Sequence, residues 1–327
     1  MFEPFAGIDT LKFHFLPNTF DFRRLHKDMR QFENYNQYKQ TAMFQNLTIS
    51  THWTFQSVTI RGSLPKFING QNLLPMPFLE ITPTFEMLNS AFESYDLDFN
   101  CASITGLHIN STFGTNKVVG EYPVFLKNLK GYIRLPEKYE STLKYFRRDA
   151  QKPQIRRELI FYDKIAEMQK NGVKVPPQYL NDNIARLEWQ VNGNLRSEFR
   201  TGQTVTGKLL ASNHHFFNSA MDSFDKLYNR IEKRAIETPK IDFNMKPKQL
   251  KDTLAAAYLV QNYDLQEIYE QVDRISDKKE KYQMRKTVNK LLNNAQSVGE
   301  TADLLAEFGT KFKAGLTAAK VQNTYTN

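Results

Sequence analysis

The sequence has little of several residue types on which common enzyme classes depend. Cys101 is the only cysteine in 327 residues, which excludes an intramolecular disulfide and a zinc site built from cysteines. The chain has 14 glycines and no Gly-rich loop of the Walker A or dinucleotide-binding type. The His-Glu-x-x-His and Gly-x-Ser-x-Gly motifs are missing as well. Nucleotide hydrolysis of the common kinds is therefore not expected.

Long apolar runs are also missing. The longest candidate, Leu254–Val260, is far shorter than the roughly 18–20 residues that span a bilayer. The first residues, Met1-Phe2-Glu3-Pro4, have neither the basic start nor the apolar core of a signal peptide. We therefore expect a soluble cytoplasmic protein with no membrane partner.

Aromatic and basic residues, by contrast, are plentiful. The 25 Phe and 15 Tyr residues argue against a disordered chain, and the chain is long enough to bury a sizeable core. The 44 Lys and Arg residues outnumber the 35 Asp and Glu residues, which gives a formal net charge of +9. Such an excess favours a polyanionic partner.

Strand patterns and helix patterns occupy different parts of the chain. Alternating or β-branched and aromatic segments predict strands at Thr10–Phe15, Leu47–Trp53, Ser57–Arg61, Ser103–Phe113, Gly131–Leu135, Glu158–Tyr162 and Ala185–Val191. Helical spacing predicts helices at Glu80–Ser94, Ile165–Asn171, Phe217–Ala235, Lys248–Tyr258, Leu265–Ile275, Lys278–Asn293 and Thr301–Ala319. We predict an α+β fold, in which a central, mostly antiparallel sheet with helices (residues 1–212) is followed by an α-helical domain (residues 213–327) for DNA binding or oligomerisation.

The positive charge is concentrated in one segment. Between Lys127 and Lys164 there are eleven Lys and Arg residues against five Asp and Glu residues. This run includes the pairs Arg147-Arg148 and Arg156-Arg157, and arginine binds phosphate oxygens in pairs. Neighbouring aromatic residues can stack on unpaired bases. The segment therefore suits single-stranded nucleic acid, although a solvated surface is the ordinary role of a basic run.

The most informative segment ends in a tyrosine. An apolar strand ends at Tyr162 and a helix begins directly after it, which brings Tyr162, Lys164 and Glu167 to one end of the element. Most tyrosines have a structural role. The pKa of a phenol is about 10, so a nucleophilic tyrosine needs positive charge nearby to lose its proton. Lys164 and the basic run before the strand supply such charge.

Two further strands carry polar residues on one face. In the segment 184–191, Arg186, Glu188 and Gln190 point one way, and in the segment 107–113 His108 and Asn110 do so. The first row could be a plain solvent face, and Thr112 belongs to the second row as well. If the two strands are neighbours, an imidazole, an amide oxygen and a carboxylate could hold a hard divalent cation.

Four segments together resemble the filamentous-phage replication initiators, the gene II/X protein family, and the related plasmid rolling-circle Rep proteins. Residues 57–73, which contain Pro65-Lys66 and Gly70-Gln71-Asn72, are similar to that family's strand and Pro-Lys…Gly-x-Asn segment. Residues 108–113 are similar to its Arg-Ile-Asp-x-Thr-Phe strand, with His108 and Asn110 in place of the arginine and the aspartate. Residues 161–167 resemble its Tyr-x-Lys-x-x-Glu segment, and Arg186-Leu187-Glu188 its Arg-Phe-Glu strand. The chain has no His-x-His pair of the kind that many tyrosine-dependent nickases use to hold a metal.

The resemblance implies a metal-dependent nickase that starts rolling-circle replication. Tyr162 would attack the DNA, Lys164 would stabilise the phenolate or the developing charge on phosphorus, and Glu167 would orient Lys164 or complete the metal shell. Mg²⁺ or Mn²⁺ would be held by Glu188 with His108 or Asn110. The predicted DNA contacts are Arg147, Arg148, Arg156, Arg157, Lys66 and Arg186.

The implied partners are those of replication in a bacterial host. They are origin DNA, single-stranded or cruciform, and the host polymerase and helicase, and the protein could act as an oligomer. Two other functions remain open from the sequence alone. One is a non-catalytic DNA-binding regulator of a phage or plasmid, and the other is a structural protein whose basic face meets a packaged genome.

Overall fold

The structure is a computed structural model. It describes residues 2–29, 35–36, 39–135, 142–148, 155–233, 251, 255, 271–294 and 300–321. Of the predicted helices, most of residues 248–258 and most of residues 265–275 lie outside the described residues. No helix among the described residues is long and apolar enough to cross a membrane.

A 10-stranded antiparallel sheet forms the centre of the fold. The strands of the described residues are β1 Phe5–Phe15, β2 Tyr35–Asn36, β3 Lys39–Phe44, β4 Leu47–His52, β5 Ser57–Ser63, β6 Ser103–Gly114, β7 Leu126–Leu129, β8 Ile133–Leu135, β9 Leu143–Arg148, β10 Arg156–Asp163, β11 Ile184–Asn192 and β12 Ile231–Lys233. Two of them, β7 and β12, pair separately with each other. The order in the large sheet is β2-β3-β4-β5-β1-β6-β11-β10-β9-β8. The predicted α+β fold with a mostly antiparallel sheet is confirmed.

Nine α-helices accompany the strands in the described part of the chain. They are α1 Phe22–Met29, α2 Leu64–Asn69, α3 Ile81–Ala91, α4 Lys164–Lys170, α5 Leu195–Phe199, α6 Gly207–Ser212, α7 His214–Asn229, α8 Lys278–Asn294 and α9 Glu300–Val321. Side-chain caps fix several starts: Asp163 accepts a hydrogen bond from the backbone N–H of Ala166 (2.9 Å) at α4, and Asn213 caps α7 in the same way. The cap at Asp163 explains why α4 begins directly after β10.

The two faces of the sheet differ because side chains alternate along each strand. On one face the apolar residues pack under helices: Trp189 of β11 stacks on Phe224 of α7 (6.2 Å between ring centroids), and Phe161 of β10 meets Phe308 of α9 (5.3 Å). Buried residues of the sheet, α7 and α9 belong to one hydrophobic cluster. Helices beyond residue 212 thus share the core of the sheet, and the predicted division into two domains stays a prediction.

Some elements were not predicted, for local reasons. The strand β3 has only one β-branched residue, and β9 was interpreted through its charges, although Leu143 and Tyr145 are buried and Arg147 is exposed. The predicted helix Phe217–Ala235 begins earlier and ends at Asn229, because Ile231–Lys233 pairs with β7 as a strand. That pairing depends on a distant segment, so the helical spacing could not predict it.

Candidate functional site

The site lies on the polar face of the sheet where β10, β11 and β6 run side by side. In the register Tyr162 is opposite Arg186, and Arg186 is opposite Thr112. One row further, Glu188 lies opposite Asn110. Directly paired residues project from the same face, so this register brings the predicted catalytic and metal-ligating residues together.

Glu188 is the centre of the hydrogen bonding. Tyr162 Oη donates to Glu188 Oε2 (2.9 Å), and the other oxygen, Oε1, contacts His108 Nδ1 (3.0 Å) and accepts from Gln190 Nε2 (2.8 Å). Burial by itself would raise the pKa of Glu188. The hydrogen bond and charge of His108 and the charge of Arg186 outweigh it, so the pKa of Glu188 lies well below its ordinary value. Glu188 is therefore a carboxylate at neutral pH.

Tyr162 is held in its neutral form. Burial, and then the negative charge of Glu188, raise the pKa of Tyr162 well above the ordinary 10.0, and the positive charge of Arg186 offsets only part of this. The hydroxyl is thus a hydrogen-bond donor to Glu188 in the free protein. Additional positive charge, such as that of a bound cation, is needed before it can become a nucleophile.

Arg186 has an internal role, which corrects its predicted contact with DNA. The side chain is fully buried, and its nitrogens donate to Thr112 Oγ1 (2.8 Å), Asp9 Oδ2 (3.2 Å) and the backbone carbonyls of Asn72 (2.6 Å) and Leu73 (2.7 Å). With these acceptors engaged, the guanidinium is not presented to a phosphate. It fixes the loop that follows α2 against the end of the sheet.

Asp9, Ser63 and Asn72 are site residues that the sequence analysis missed. Asp9 is buried, pairs with Arg186 and accepts hydrogen bonds from Ser63 Oγ and from Asn72 Nδ2 (3.1 Å). The register between β1 and β6 shifts between Ile8 and Leu11, next to this carboxylate. An acid directly after the apolar run Phe5–Ile8 was the available signal, because a buried carboxylate requires a partner.

Lys164 and Glu167 also join the network. Lys164 is fully buried, and its Nζ donates to Glu167 Oε2 (2.6 Å) and Asn72 Oδ1 (2.9 Å). Burial, and then the charge of Arg186, lower the pKa of Lys164 to about 8, although Glu167 and Asp9 act in the opposite direction. Lys164 is thus charged at neutral pH and loses that charge in mildly alkaline solution.

A backbone segment covers the inner end of the site. Ile8 and Met76 exchange backbone hydrogen bonds (Ile8 N to Met76 O 3.0 Å, Met76 N to Ile8 O 2.7 Å), so the loop crosses directly over β1. A Cβ at Gly7, which lies opposite Asn110, would come 2.2 Å from Met76 O. Only glycine permits this approach, which keeps Asn110 fully buried.

The chemical groups of the predicted metal ligands suit a hard divalent cation. Glu188 and His108 touch each other, and Asn110 lies beside them with its Oδ1 accepting from Thr112 Oγ1 (3.3 Å). Among the described residues no group of three or more His, Cys, Asp or Glu side chains is placed to hold a metal. Mg²⁺ and Mn²⁺ need fewer, since Mg²⁺ completes its shell with waters and substrate phosphates. The buried His108 Nε2 has no partner in the described structure, so the imidazole keeps one uncommitted nitrogen.

The predicted DNA-binding residues divide into two groups. Arg147, Arg148 and Arg156 are exposed at the other end of β9 and β10. Arg148 and Arg156 are paired on the polar face, where Arg156 lies over the ring of Phe146 (5.5 Å), whereas Arg147 is paired with Arg157 on the other face. Arg157 is buried on the opposite face, where it donates to Glu198 Oε2 (2.7 Å) and to the carbonyl of Asn192 (2.5 Å). We therefore remove Arg157, like Arg186, from the predicted phosphate contacts. Lys66, on the helix α2 that Ser63 caps, is partly exposed.

Comparison with known proteins adds no identification. No protein-family model matches the chain, and no curated protein matches it in sequence. The similarity to the phage and plasmid replication initiators therefore rests on the four segments named above. Three of these segments supply Tyr162, His108 and Glu188, which the structure brings into contact.

Proposed function

We propose that the protein is a metal-dependent tyrosine DNA nickase and strand transferase that initiates rolling-circle replication. The contact that carries the proposal is the hydrogen bond from Tyr162 Oη to Glu188 Oε2 (2.9 Å), with His108 on the other carboxylate oxygen. It joins a potential nucleophile to a pair of residues that could bind a metal. The exposed arginines at the far end of β9 and β10 are suited to position the DNA backbone.

In the proposed reaction Tyr162 Oη attacks a phosphorus atom of the DNA. The Oη–P bond forms, the P–O3′ bond breaks, and the product is a 5′-phosphotyrosine with a free 3′-OH for the host polymerase. The phenolic proton passes to water, because Glu188, whose pKa lies well below its ordinary value, stays a carboxylate that orients the hydroxyl. The departing 3′-oxygen takes a proton from water. Because one phosphodiester replaces another, the same site can rejoin the strand.

The surrounding residues have separate tasks in this reaction. Lys164 offers a buried positive charge that stabilises the charge developing on phosphorus, and Glu167 and Asn72 orient its amine. Arg186 holds the loop and Asp9 in place and does not contact the DNA. Glu188 and His108, with Asn110, would hold Mg²⁺ or Mn²⁺, and such an ion supplies Lewis-acid polarisation of the scissile phosphate.

A labelled single-stranded DNA library tests the proposal without knowledge of the origin sequence. The protein is incubated with Mn²⁺ and random-sequence oligonucleotides labelled at either the 3′ or the 5′ end, and covalent adducts are separated under denaturing conditions. The wild type should acquire the 3′ label alone, and EDTA should abolish the adduct. Tyr162→Phe, which keeps the ring and its packing, should bind DNA with unchanged affinity and form no adduct.

Two results would contradict the assignment. An adduct that persists in Tyr162→Phe, or that maps to another tyrosine, removes Tyr162 as the nucleophile. A wild-type protein that binds the library tightly but forms no adduct under any divalent cation favours a non-catalytic DNA-binding regulator.

A further inference from the structure

A row of paired residues with basic side chains at both of its ends crosses the polar face of the sheet at a distance from Tyr162. In the strand register Arg156 of β10 lies opposite Asn192, Asn192 opposite Gly106, Gly106 opposite Lys12, and Lys12 opposite Arg61 of β5. On the other side of Arg156 the row continues to Arg148 of β9. Directly paired residues share a face, so the row is continuous from β9 to β5.

The dimensions of the row suit an extended polymer. Five strand-to-strand steps at about 4.8 Å each give a length of about 24 Å. Six residues of β10 separate Arg156 from Tyr162, which corresponds to about 20 Å along the strand. The surface is lowest at the middle of the row, because Gly106 has no side chain there. A Cβ at this position would come 2.9 Å from atoms of both Lys12 and Asn192.

The β1 and β5 part of the row carries uncompensated positive charge. Lys12 and Arg61 are direct cross-strand partners, and like charges in that position destabilise a sheet. In the described structure neither has an ion pair, whereas Arg156 shares Glu158 (2.5 Å) with Lys144 (2.7 Å). Burial first, then the charges of Arg61 and Lys39, lower the pKa of Lys12, which reflects the same crowding.

Further basic groups extend this surface toward the edge of the sheet. Lys39 of β3 is exposed and lies opposite His52 of β4, and His14 of β1 is on the same face. The strands β3, β4 and β5 contain no Asp or Glu at all. A sheet surface that collects cations without any acid to pair with them is suited to an external polyanion.

We propose that Lys12 and Arg61, continued by Lys39, bind the sugar-phosphate backbone of single-stranded DNA that runs across the sheet, perpendicular to its strands. Single-stranded DNA fits better than a duplex because the surface is a shallow track and not a cleft, and because the partly exposed ring of Phe146 beside Arg156 offers a face for stacking a base. The inference rests on the proposed function only in the choice of DNA as the polyanion. It extends the DNA-binding surface from the basic run of the sequence to strands on which no such contact was predicted.

The test measures how binding of a fluorescent 20-nucleotide oligo-dT depends on salt. The variant is Lys12→Gln/Arg61→Gln in the full chain, and fluorescence anisotropy gives the affinity at several NaCl concentrations. For single strands each lost phosphate contact lowers the slope of log affinity against log salt by about 0.7, so the double variant should lose about 1.4. Because two opposed cations are removed, its urea denaturation midpoint should equal or exceed that of the wild type.

The matched control is Lys208→Gln/Lys226→Gln. These exposed lysines of α6 and α7 lie away from the polar face, and their replacement changes the net charge equally. The control should keep the wild-type slope. An unchanged slope in Lys12→Gln/Arg61→Gln, or an equal fall in the control, overturns the proposal. So does a variant that loses affinity for heparin but not for the oligonucleotide, since the surface would then serve another anionic partner.

These experiments test the DNA-binding surface and the nicking activity independently. Tyr162→Phe should show the wild-type salt slope, because it removes one oxygen far from the row. If no covalent adduct forms but the slope falls as expected, the DNA track stands without the nickase. If adducts form and the slope does not change, the nickase stands without the track.

Discussion

Replacing Arg186 by methionine should destabilise the fold far more than removing an exposed arginine. The guanidinium is fully buried and donates to Asp9, to Thr112 and to two backbone carbonyls of the loop after α2. Methionine fills much of the same volume but leaves the Asp9 carboxylate without its ion-pair partner. A buried charge that loses its partner is costly because water cannot replace the lost contact.

The expected loss can be estimated from these contacts. Breaking a buried ion pair by removing one partner costs about 3–5 kcal/mol, and an orphaned buried carbonyl adds about 1–3 kcal/mol. Ser63 and Asn72 still donate to Asp9, which reduces the first contribution. We therefore expect a loss of about 4 kcal/mol, a large part of the roughly 5–15 kcal/mol that stabilises a typical domain.

Urea denaturation followed by circular dichroism measures this loss, and a double-mutant cycle assigns it. Asp9→Asn alone leaves the Arg186 charge unpaired and should also destabilise. The double variant should be less destabilised than the sum of the two single variants by about 1–3 kcal/mol. Arg196→Met, at an exposed position of α5, is the control and should change the stability by less than about 0.5 kcal/mol. A loss below about 1 kcal/mol in Arg186→Met, or a strictly additive cycle, would refute the reasoning.

Three further predictions concern single positions. Glu188→Gln should slow single-turnover nicking by about two orders of magnitude, roughly 3 kcal/mol, and raise the Mn²⁺ concentration needed; identical Mn²⁺ titrations would remove this residue from the site. Gly7→Ala should lower the melting temperature, because its Cβ would come 2.2 Å from a backbone oxygen of the crossing loop. The control Gly309→Ala should leave the melting temperature nearly unchanged, because its Cβ would meet only a tyrosine hydroxyl at 3.3 Å. Arg157→Gln should lower the stability of the fold and leave the salt slope of DNA binding unchanged. Arg147→Gln should instead flatten that slope by about 0.7 and leave the stability unchanged. The reverse pattern would restore Arg157 as a DNA contact.

The sequence predicted the central strands well because their signals are local. The alternation in β6, β10 and β11 determines which residues share a face, and an antiparallel register then brings Tyr162, Glu188 and His108 together. The end of β10 was predictable for the same reason, since the apolar run stops at Tyr162 and Asp163 caps the next helix. These features need only a few neighbouring residues to specify them.

The remaining site residues depend on contacts between distant segments. Asp9 precedes the predicted first strand, and its partners Asn72 and Arg186 lie far along the chain. Charge counted along the sequence was misleading for a related reason. It emphasised the run that contains Arg157, which turns inward. It gave no weight to Lys12 and Arg61, the DNA contacts that we propose, which are isolated in the sequence and adjacent in the sheet. A sheet register places residues together that no linear window contains.

The pH dependence of nicking should reveal whether the buried charge of Lys164 acts in the reaction. Its pKa is lowered to about 8, from the ordinary 10.5, by burial and by the charge of Arg186. The folded protein therefore disfavours the charged amine, a cost to stability that is fully present below pH 8 and disappears as the pH rises toward 10.5. In the proposed reaction the effect on the rate has the opposite sense, because the positive charge that would stabilise the transition state is lost above about pH 8. The logarithm of the single-turnover rate plotted against pH should therefore bend downward by one unit of slope near pH 8, whether Tyr162 reacts as a preformed phenolate or loses its proton to water as it attacks. Lys164→Gln has no titrating amine, so its rate should be lower at neutral pH and its profile should continue through pH 8 without the bend. A bend that persists unchanged in Lys164→Gln would assign the titration to another group and remove Lys164 from the reaction.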